Sequence, residues 1–265
     1  MAEEIPGDRE LGRELAAKRL EQLRSIVRES HVVGIEELAR RLRVSSATVR
    51  RDLDHLESLG EIRRVHGGAV GPESRLEEPL FDDKTAIAVA EKHRIAEAAL
   101  TYISPGDTVY LDGGSTVLAL ARRLHDRTNL TIVTNSLRAA VELAGGGPRL
   151  IMIGGELRRL SQTLVGPLTR LLLDQLNVDK AFMGTMGLAI KEGLTTTDPS
   201  EAYTKELVME RAGRVILLAD STKIDKVSFS RSGRLERVST LITDKGLDAK
   251  RAEKIRKRGV EVVLV

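Results

Sequence analysis

Apolar residues recur three or four positions apart through the first sixty residues, which is the spacing of an amphipathic helix. The pattern predicts one helix over 8–29, a second over 35–42 and a third over 47–60. A run of charged and β-branched residues that contains a Gly-Gly pair follows, and it predicts a short hairpin over 61–70. We therefore expect a small N-terminal domain of three helices and a hairpin.

The remainder of the chain alternates short apolar, β-branched runs with helical stretches. Strands are predicted at 108–112, 131–134, 150–153, 180–184, 215–220, 240–244 and 260–265. Helices are predicted between them at 91–103, 116–124, 137–144, 164–176, 201–212 and 248–258. This alternation indicates an α/β domain with a Rossmann-like, mostly parallel sheet that is covered by helices on both faces.

The boundary between the two patterns is rich in proline and acidic residues. Residues 71–83 carry both Pro72 and Pro79 together with several glutamates and aspartates. Such a composition is typical of a linker between domains. We expect a smaller N-terminal domain over 8–70, a linker over 71–84 and a larger C-terminal domain over 85–265.

The composition excludes several classes of protein. The chain has no cysteine, so it has neither disulfides nor thiolate metal sites, and we expect no metal and no cofactor. Aromatic residues make up only 2% of it, too few to stack the bases of single-stranded nucleic acid. It shows no apolar signal core and no stretch long enough to span a bilayer, which favours a cytoplasmic location.

The net charge of +3 is small, but its distribution is uneven. Five arginines crowd the second and third predicted helices with no acid between the first and the last: Arg40, Arg41, Arg43, Arg50 and Arg51. Such a cluster is typical of a surface that contacts nucleic-acid phosphates. A solvated, arginine-rich helix face explains the charges equally well.

The third helix has an apolar face and a polar face. Val49, Leu53 and Leu56 lie on one side and can pack onto the second helix. Small hydroxyl residues and arginines are left on the other side, as a helix in a DNA major groove requires. A plain three-helix bundle used for docking is the alternative, because this spacing also occurs by chance.

Residues 35–70, IEELARRLRVSSATVRRDLDHLESLGEIRRVHGGAV, closely resemble the signature of the DeoR family of bacterial regulators. The resemblance implies a winged helix-turn-helix that binds double-stranded operator DNA. It implies DNA contacts from these residues of the third helix and the wing: Ser45, Ser46, Thr48, Arg50, Arg51, Arg64 and His66.

A Gly-Gly-Ser-Thr turn at 113–116 separates a predicted strand from a predicted helix. Glycines let the backbone approach a ligand, and the amides at the helix N-terminus favour an anion such as phosphate. A tight turn with a serine cap is the alternative.

Residues 91–116, which contain this turn, resemble the opening of ribose-5-phosphate isomerase. They also resemble the C-terminal domain of the DeoR family, whose members commonly bind sugar phosphates. The two resemblances together cover about residues 18–245. They imply an effector site built from Lys92, Asp112, Gly113, Gly114, Ser115, Thr116, Thr134, Asn135, Gly154, Gly155, Glu201, Lys205 and Lys223. Glu201 and Lys205 also fit a simpler interpretation as an i,i+4 ion pair on one helix.

A sugar-phosphate isomerase with an attached DNA-binding domain is the main alternative function. The isomerase family carries acids after a middle strand, where this chain has Met-Gly-Thr-Met-Gly at 183–187. No carboxylate remains there to act as a base, although Asp198 and Glu201 follow in the chain. We therefore expect no catalytic residue.

The sequence thus predicts a transcription regulator, more in keeping with repression than with activation. A phosphorylated sugar is expected to release it from the operator of a sugar-metabolism operon. A two-fold protein engages paired half-sites, so we expect a homo-oligomer, either a dimer or a tetramer.

Overall fold

A computed structural model describes residues 18–27, 32–58, 62–65, 68–70, 78 and 81–265. The chain divides into two compact units, Met1–Glu77 and Glu78–Val265. His66 lies outside the described residues, and the side chain of Arg64 is not described either.

The first unit consists of helices and one small antiparallel sheet. Helix α1 covers residues 18–27. It is followed by β1 (Val32–Gly34), α2 (Ile35–Leu42), α3 (Ser46–Ser58), β2 (Arg63–Val65) and β3 (Gly68–Val70). The predicted hairpin is confirmed by β2 and β3, whereas β1 was not predicted and pairs with the outer edge of β3.

The turn between α2 and α3 is tight. Arg43 ends α2 in a left-handed conformation, with φ of 54°, and Val44 packs partly buried against the core. Ser45 then caps α3, because its side-chain oxygen accepts a hydrogen bond from the backbone N–H of Thr48 at 3.2 Å. Arg19 of α1 pairs with Asp52 of α3 at 2.6 Å, so the described part of α1 is tied to the third helix.

The second unit is built on seven parallel strands, in the spatial order β15-β14-β12-β9-β4-β5-β6. These strands are β4 (Thr108–Leu111), β5 (Thr131–Thr134), β6 (Arg149–Met152), β9 (Val178–Met183), β12 (Ala212–Leu218), β14 (Thr240–Thr243) and β15 (Glu261–Leu264). The helices are α4 (Phe81–Ala86), α5 (Val89–Leu100), α6 (Ser115–Ala121), α7 (Leu137–Leu143), α8 (Arg170–Leu173), α9 (Pro199–Arg211) and α10 (Ala249–Arg256). The predicted α/β fold class is confirmed.

The two faces of this sheet carry separate apolar cores. Tyr110 of β4 belongs to one core, whereas its neighbours Val109 and Leu111 belong to the other. This alternation shows that the strand is buried on both faces, as expected in a helix-covered parallel sheet.

The order of the strands reverses at β4. The chain runs from β4 outward to β5 and β6, and then returns to place β9 on the other side of β4. Leu111 and Phe182 are partners in this pairing, so the carboxyl ends of β4 and β9 lie side by side. Ligands of open parallel sheets bind in the crevice at such a reversal.

Two small antiparallel sheets were not predicted. One pairs β7 (Glu156–Arg158) with β8 (Thr163–Val165), and the other joins β10 (Gly187–Ala189), β11 (Gly193–Thr196) and β13 (Ser230–Gly233). Strands β7 and β13 consist mostly of polar residues and glycine, unlike the apolar runs that predicted the parallel strands.

The prediction of a continuous helix over 164–176 is wrong. Residues Thr163–Val165 form β8, and Gly166 turns the chain with φ of 91°. A short 3-10 turn at Pro167–Thr169 follows, and only Arg170–Leu173 is α-helical. Glycine in the left-handed region followed by proline interrupts a helix that the leucines alone would favour.

The predicted linker is wrong in its last part. Phe81 begins helix α4 and is buried in the core of the second unit, and Glu78 is buried as well. These residues therefore belong to the second unit. Residues 71–77, 79 and 80 lie outside the described residues.

Candidate functional site

A cavity opens at the carboxyl ends of β4, β9 and β12. It is walled by the loops that follow these strands and by residues of α4, α5 and α9. Charged and polar groups line it together with backbone: Glu78, Lys84, Lys92, residues 113–116, Ser161, residues 184–186, Glu201, Lys205, Asp220, Thr222 and Lys223. Eight of the thirteen effector residues expected from the sequence are among them.

The loop after β4 requires glycine at two positions. A Cβ on Gly113 would lie 2.2 Å from the Thr163 side chain, and Gly114 has φ of 124°. Gly114 is also the N-cap of α6, where no side chain accepts the hydrogen bonds of the first amides. The open N-terminus of α6 and the hydroxyls of Ser115 and Thr116 therefore face the cavity as donors.

Four lysines line this cavity: Lys84, Lys92, Lys205 and Lys223. Burial lowers the pKa of Lys92, and the neighbouring charges of Lys223 and Lys84 lower it further, while Asp220 opposes them. Burial also lowers the pKa of Lys223, and the negative charge of Asp220 raises it. An anion between these ammonium groups would favour their charged forms.

Asp112 contacts Lys205 rather than the open cavity. Its carboxylate pairs with Lys205 Nζ and accepts a hydrogen bond from the backbone N–H of Gly184 at 2.9 Å. Lys205 also donates to the carbonyl of Gly184 at 3.1 Å and lies 3.5 Å from Glu201. Asp112 thus fixes the position of Lys205 and joins β4 to the end of β9.

One carboxylate oxygen of Glu201 makes no hydrogen bond with the described residues. Oε2 of Glu201 lies 3.1 Å from Arg158 Nη1, but the two atoms are not aligned for a hydrogen bond, and both are buried without one. Burial raises the pKa of Glu201, and Lys205 acts in the opposite direction. A buried carboxyl group of this kind can donate to or accept from a ligand hydroxyl.

Four expected effector residues lie away from the cavity. The Thr134 hydroxyl donates to the carbonyl of Leu111 at 2.6 Å, and the Asn135 amide donates to the carbonyl of Leu164 at 3.0 Å. Gly155 has φ of 156°, and a Cβ there would lie 2.8 Å from the carbonyl oxygen of Val165. These residues, together with Gly154, shape the ends of β5 and β6, which lie one and two strands beyond the reversal.

Sequence reasoning missed four charged groups at this site: Glu78, Lys84, Arg158 and Asp220. Arg158 closely follows Gly154 and Gly155, and Asp220 closely precedes Lys223, so residues already expected to bind the effector gave a signal for both. Glu78 and Lys84 fell within the expected linker, whose composition gave no such signal.

The candidate DNA-binding surface belongs to the first unit. Val49, Leu53 and Leu56 are fully buried, while Arg50 and Arg51 are exposed on the other side of α3. The two faces predicted for this helix are confirmed.

The hydroxyl groups at the start of α3 already have partners. The Ser45 and Thr48 hydroxyls lie 2.9 Å apart, and Ser46 donates to Glu36 of α2 at 3.1 Å. Protein contacts therefore orient the first turn of this helix before any DNA is bound.

Comparison with known families matches both units. Residues 19–75 match the DeoR-like helix-turn-helix domain, and residues 87–245 match the DeoR C terminal sensor domain. This chain belongs to the DeoR family. Its relatives include the HTH-type transcriptional regulator GlpR of Haloferax volcanii, which is 38% identical over 94% of this chain and 98% of its own length.

Other DeoR-family relatives match almost as fully. The putative aga operon transcriptional repressor of Escherichia coli O157:H7 is 34% identical over 94% of both chains. The lactose phosphotransferase system repressor of Streptococcus mutans is 34% identical over 86% of this chain and 91% of its own length.

Among solved structures, ribose 5-phosphate isomerase A of Methanocaldococcus jannaschii covers 50% of this chain and 53% of its own, with 19% identity and a TM-score of 0.38. So distant a likeness says nothing about activity. The curated relatives are regulators, and residues 184–186 at the end of β9 bring no carboxylate into the DeoR-family cavity. None of the helices in the described ranges is long and apolar enough to cross a membrane.

Proposed function

We propose that this DeoR-family protein represses a sugar-metabolism operon and that a phosphorylated sugar releases it from operator DNA. The cavity at the strand reversal is the observation that carries the proposal. It combines an uncapped helix N-terminus with Lys84, Lys92 and Lys223, and this set of donors suits a phosphate group.

The sugar part of the effector is proposed to lie toward Glu201 and Lys205. Hydroxyl groups need both donors and acceptors, and Glu201 Oε2 is a buried oxygen without a hydrogen bond. The names of the relatives support a sugar, since they include an aga operon repressor and a lactose phosphotransferase system repressor.

On the DNA side, we propose that α3 enters the major groove. Ser45, Ser46 and Thr48 lie at its N-terminal turn, and the exposed Arg50 and Arg51 are available for phosphates or guanine edges. Arg64 and His66 are proposed as contacts from the wing to the flanking DNA.

We further propose a cytoplasmic homo-oligomer, a dimer or a tetramer, that binds paired half-sites. Sedimentation of the full chain with and without operator tests this. A complex of one chain per operator at every concentration would contradict it.

The proposed function is tested by operator release. A fluorescent duplex from the promoter region of the regulated genes is saturated with protein and titrated with phosphorylated sugars and with the same sugars lacking phosphate. We expect release by one or a few phosphorylated sugars only. Release by an unphosphorylated sugar at the same concentration would refute the proposed phosphate site.

A further inference from the structure

A buried ion cluster joins Glu78, the first residue of the second unit, to the wall of the cavity. We call this second unit the sensor unit and the first unit the DNA-binding unit. The Glu78 cluster consists of Glu78, Lys84, Arg158 and Thr197. Arg158 Nη2 lies 2.7 Å from Glu78 Oε2, and the Thr197 hydroxyl donates to the same oxygen at 2.6 Å. Lys84 Nζ pairs with the other carboxylate oxygen. The Glu78 side chain is 1% exposed, so this residue is firmly held in the unit.

A second lysine holds the same stretch of chain. Lys92 Nζ donates to the carbonyl of Ile87 at 2.5 Å and also to the carbonyl of Lys84. We call residues 81–88 the α4 segment, since they comprise α4 and the two residues after it. Two of the lysines that line the cavity are therefore engaged in holding the α4 segment in place.

A phosphate group would compete for these two lysines. Burial lowers the pKa of Lys92, and the positive charges of Lys223 and Lys84 lower it further, against the effect of Asp220. A bound dianion replaces this repulsion with attraction and offers stronger acceptors than main-chain carbonyl oxygens.

Some of the contacts that the lysines would leave are compensated. Glu78 keeps Arg158 and Thr197 when Lys84 turns away, so no buried carboxylate is left unpaired. Ile87 is 56% exposed, so water can reach the chain that Lys92 would release. The loss of the Lys84 contact at Glu78 Oε1 is a cost that the bound phosphate must offset.

Building on the proposed function, we infer that phosphate binding draws Lys84 and Lys92 away from Glu78 and from the carbonyls of residues 84 and 87, and so loosens the α4 segment. Glu78 is the first residue of the sensor unit, and the chain that precedes it belongs to the DNA-binding unit. The change in the α4 segment is transmitted to the DNA-binding unit through the main chain that connects the two units. Glu78 thus acts as a coupling residue through Lys84, although it also lines the cavity.

Hydrogen exchange of the full chain, followed by mass spectrometry, tests this inference. Inorganic phosphate is the probe, and sodium chloride at the same ionic strength is the control. We expect phosphate to slow exchange in residues 113–118, where the helix N-terminus binds it. Exchange of the α4 segment should rise at least about fivefold, the lower end of ordinary coupling between sites.

The outcomes separate the inference from the proposed function. Slowed exchange at 113–118 with unchanged or slowed exchange in the α4 segment overturns the coupling and leaves the anion site standing. No change in either region, at any phosphate concentration, overturns both.

The substitution Glu78→Gln provides a second test in the free protein. Without the negative charge, Lys84 is held less tightly, so exchange of the α4 segment should already be raised and phosphate should raise it no further. Glu97→Gln is the matched control, because Glu97 lies exposed on α5 and pairs with Arg123. A Glu78→Gln protein that still shows the full phosphate response would contradict the coupling role.

Discussion

The ammonium group of Lys205 donates to the carboxylate of Asp112, and both side chains are almost completely buried. The pair connects α9 to the end of β4 directly beneath the candidate effector site. Burial alone would lower the pKa of Lys205, but Asp112 and Glu201 raise it, so the lysine stays charged. Each partner is therefore needed to compensate the other's charge.

The variant Asp112→Asn should be strongly destabilised, because it leaves a buried ammonium group with a weakened partner. We expect a loss of about 3–5 kcal/mol in the free energy of unfolding, measured by urea denaturation. Asp174→Asn is the control, since Asp174 pairs with Arg211 at a partly exposed site. That variant should lose less than about 1 kcal/mol. Equal losses in the two would contradict the structural role of Asp112.

Acid should remove the contribution of Glu78 to stability. Burial would raise the pKa of Glu78, but Lys84, Thr197 and Arg158 together lower it from 4.5 to about 2. A carboxyl group with a lowered pKa stabilises the fold above pH 4.5, and the contribution is lost as the pH falls toward 2.

Urea denaturation of wild type and Glu78→Gln across this pH range measures the effect. A shift of this size corresponds to about 3 kcal/mol at neutral pH. The difference between the two proteins should narrow steadily below pH 4.5. A difference that does not change with pH would show that the pKa of Glu78 is the same in the folded and unfolded states.

The adjacent glycines at the end of β6 should respond differently to alanine. Gly155 has a positive φ, and an added Cβ would strike the Val165 carbonyl, whereas nothing lies within 4 Å of a Cβ on Gly154. We expect Gly155→Ala to cost about 1–3 kcal/mol of stability and Gly154→Ala to cost less than about 1 kcal/mol. Neither should change the affinity for inorganic phosphate in the folded protein. If the Gly154→Ala protein bound phosphate more weakly, Gly154 would have to be assigned to the effector site again.

The two proposed functions should be separable by mutation. Arg50→Ala should weaken operator binding by about 1–3 kcal/mol and leave phosphate affinity unchanged. Lys250→Ala, an exposed change on α10, is the control. Fluorescence anisotropy with operator duplex measures the loss, and equal loss of phosphate affinity would argue against independent sites.

The converse variant is Ser115→Ala. Its hydroxyl is proposed to donate to phosphate, and a hydrogen bond to a charged group contributes about 1.5–3 kcal/mol. Phosphate affinity should therefore fall roughly tenfold or more, while operator affinity without effector is kept. Isothermal titration calorimetry measures the phosphate affinity, and fluorescence anisotropy measures the operator affinity. An unchanged phosphate affinity would remove Ser115 from the site.

Local patterns were sufficient for the main elements of the fold. The apolar face of α3, formed by Val49, Leu53 and Leu56, shows a helical period, and the seven parallel strands are recognisable as runs of apolar, β-branched residues. The three-residue strands β7 and β8 were not predicted, and Gly166 followed by Pro167 divides a leucine-rich run that reads as one helix. Those features are set by backbone conformation and long-range pairing rather than by periodicity.

The candidate site was predicted best where a motif contains both the glycine turn and its ligand donors, as at 113–116. Thr134 and Asn135 follow a strand in the same way, but β5 is one strand away from the reversal, and strand order is not visible in a single sequence. Glu78 and Arg158 meet only through the tertiary fold, since eighty residues of strands and helices separate them.

The placement of β9 beside β4 also has a consequence for synthesis. The cavity needs the loop after β4, the loop after β9 and Lys223 together, and these emerge from the ribosome at widely separated times. The helix-turn-helix unit is complete much earlier, because its described elements end at Val70. The nascent chain can therefore form α3, the helix proposed to enter the major groove, before it has formed the cavity proposed to bind the effector.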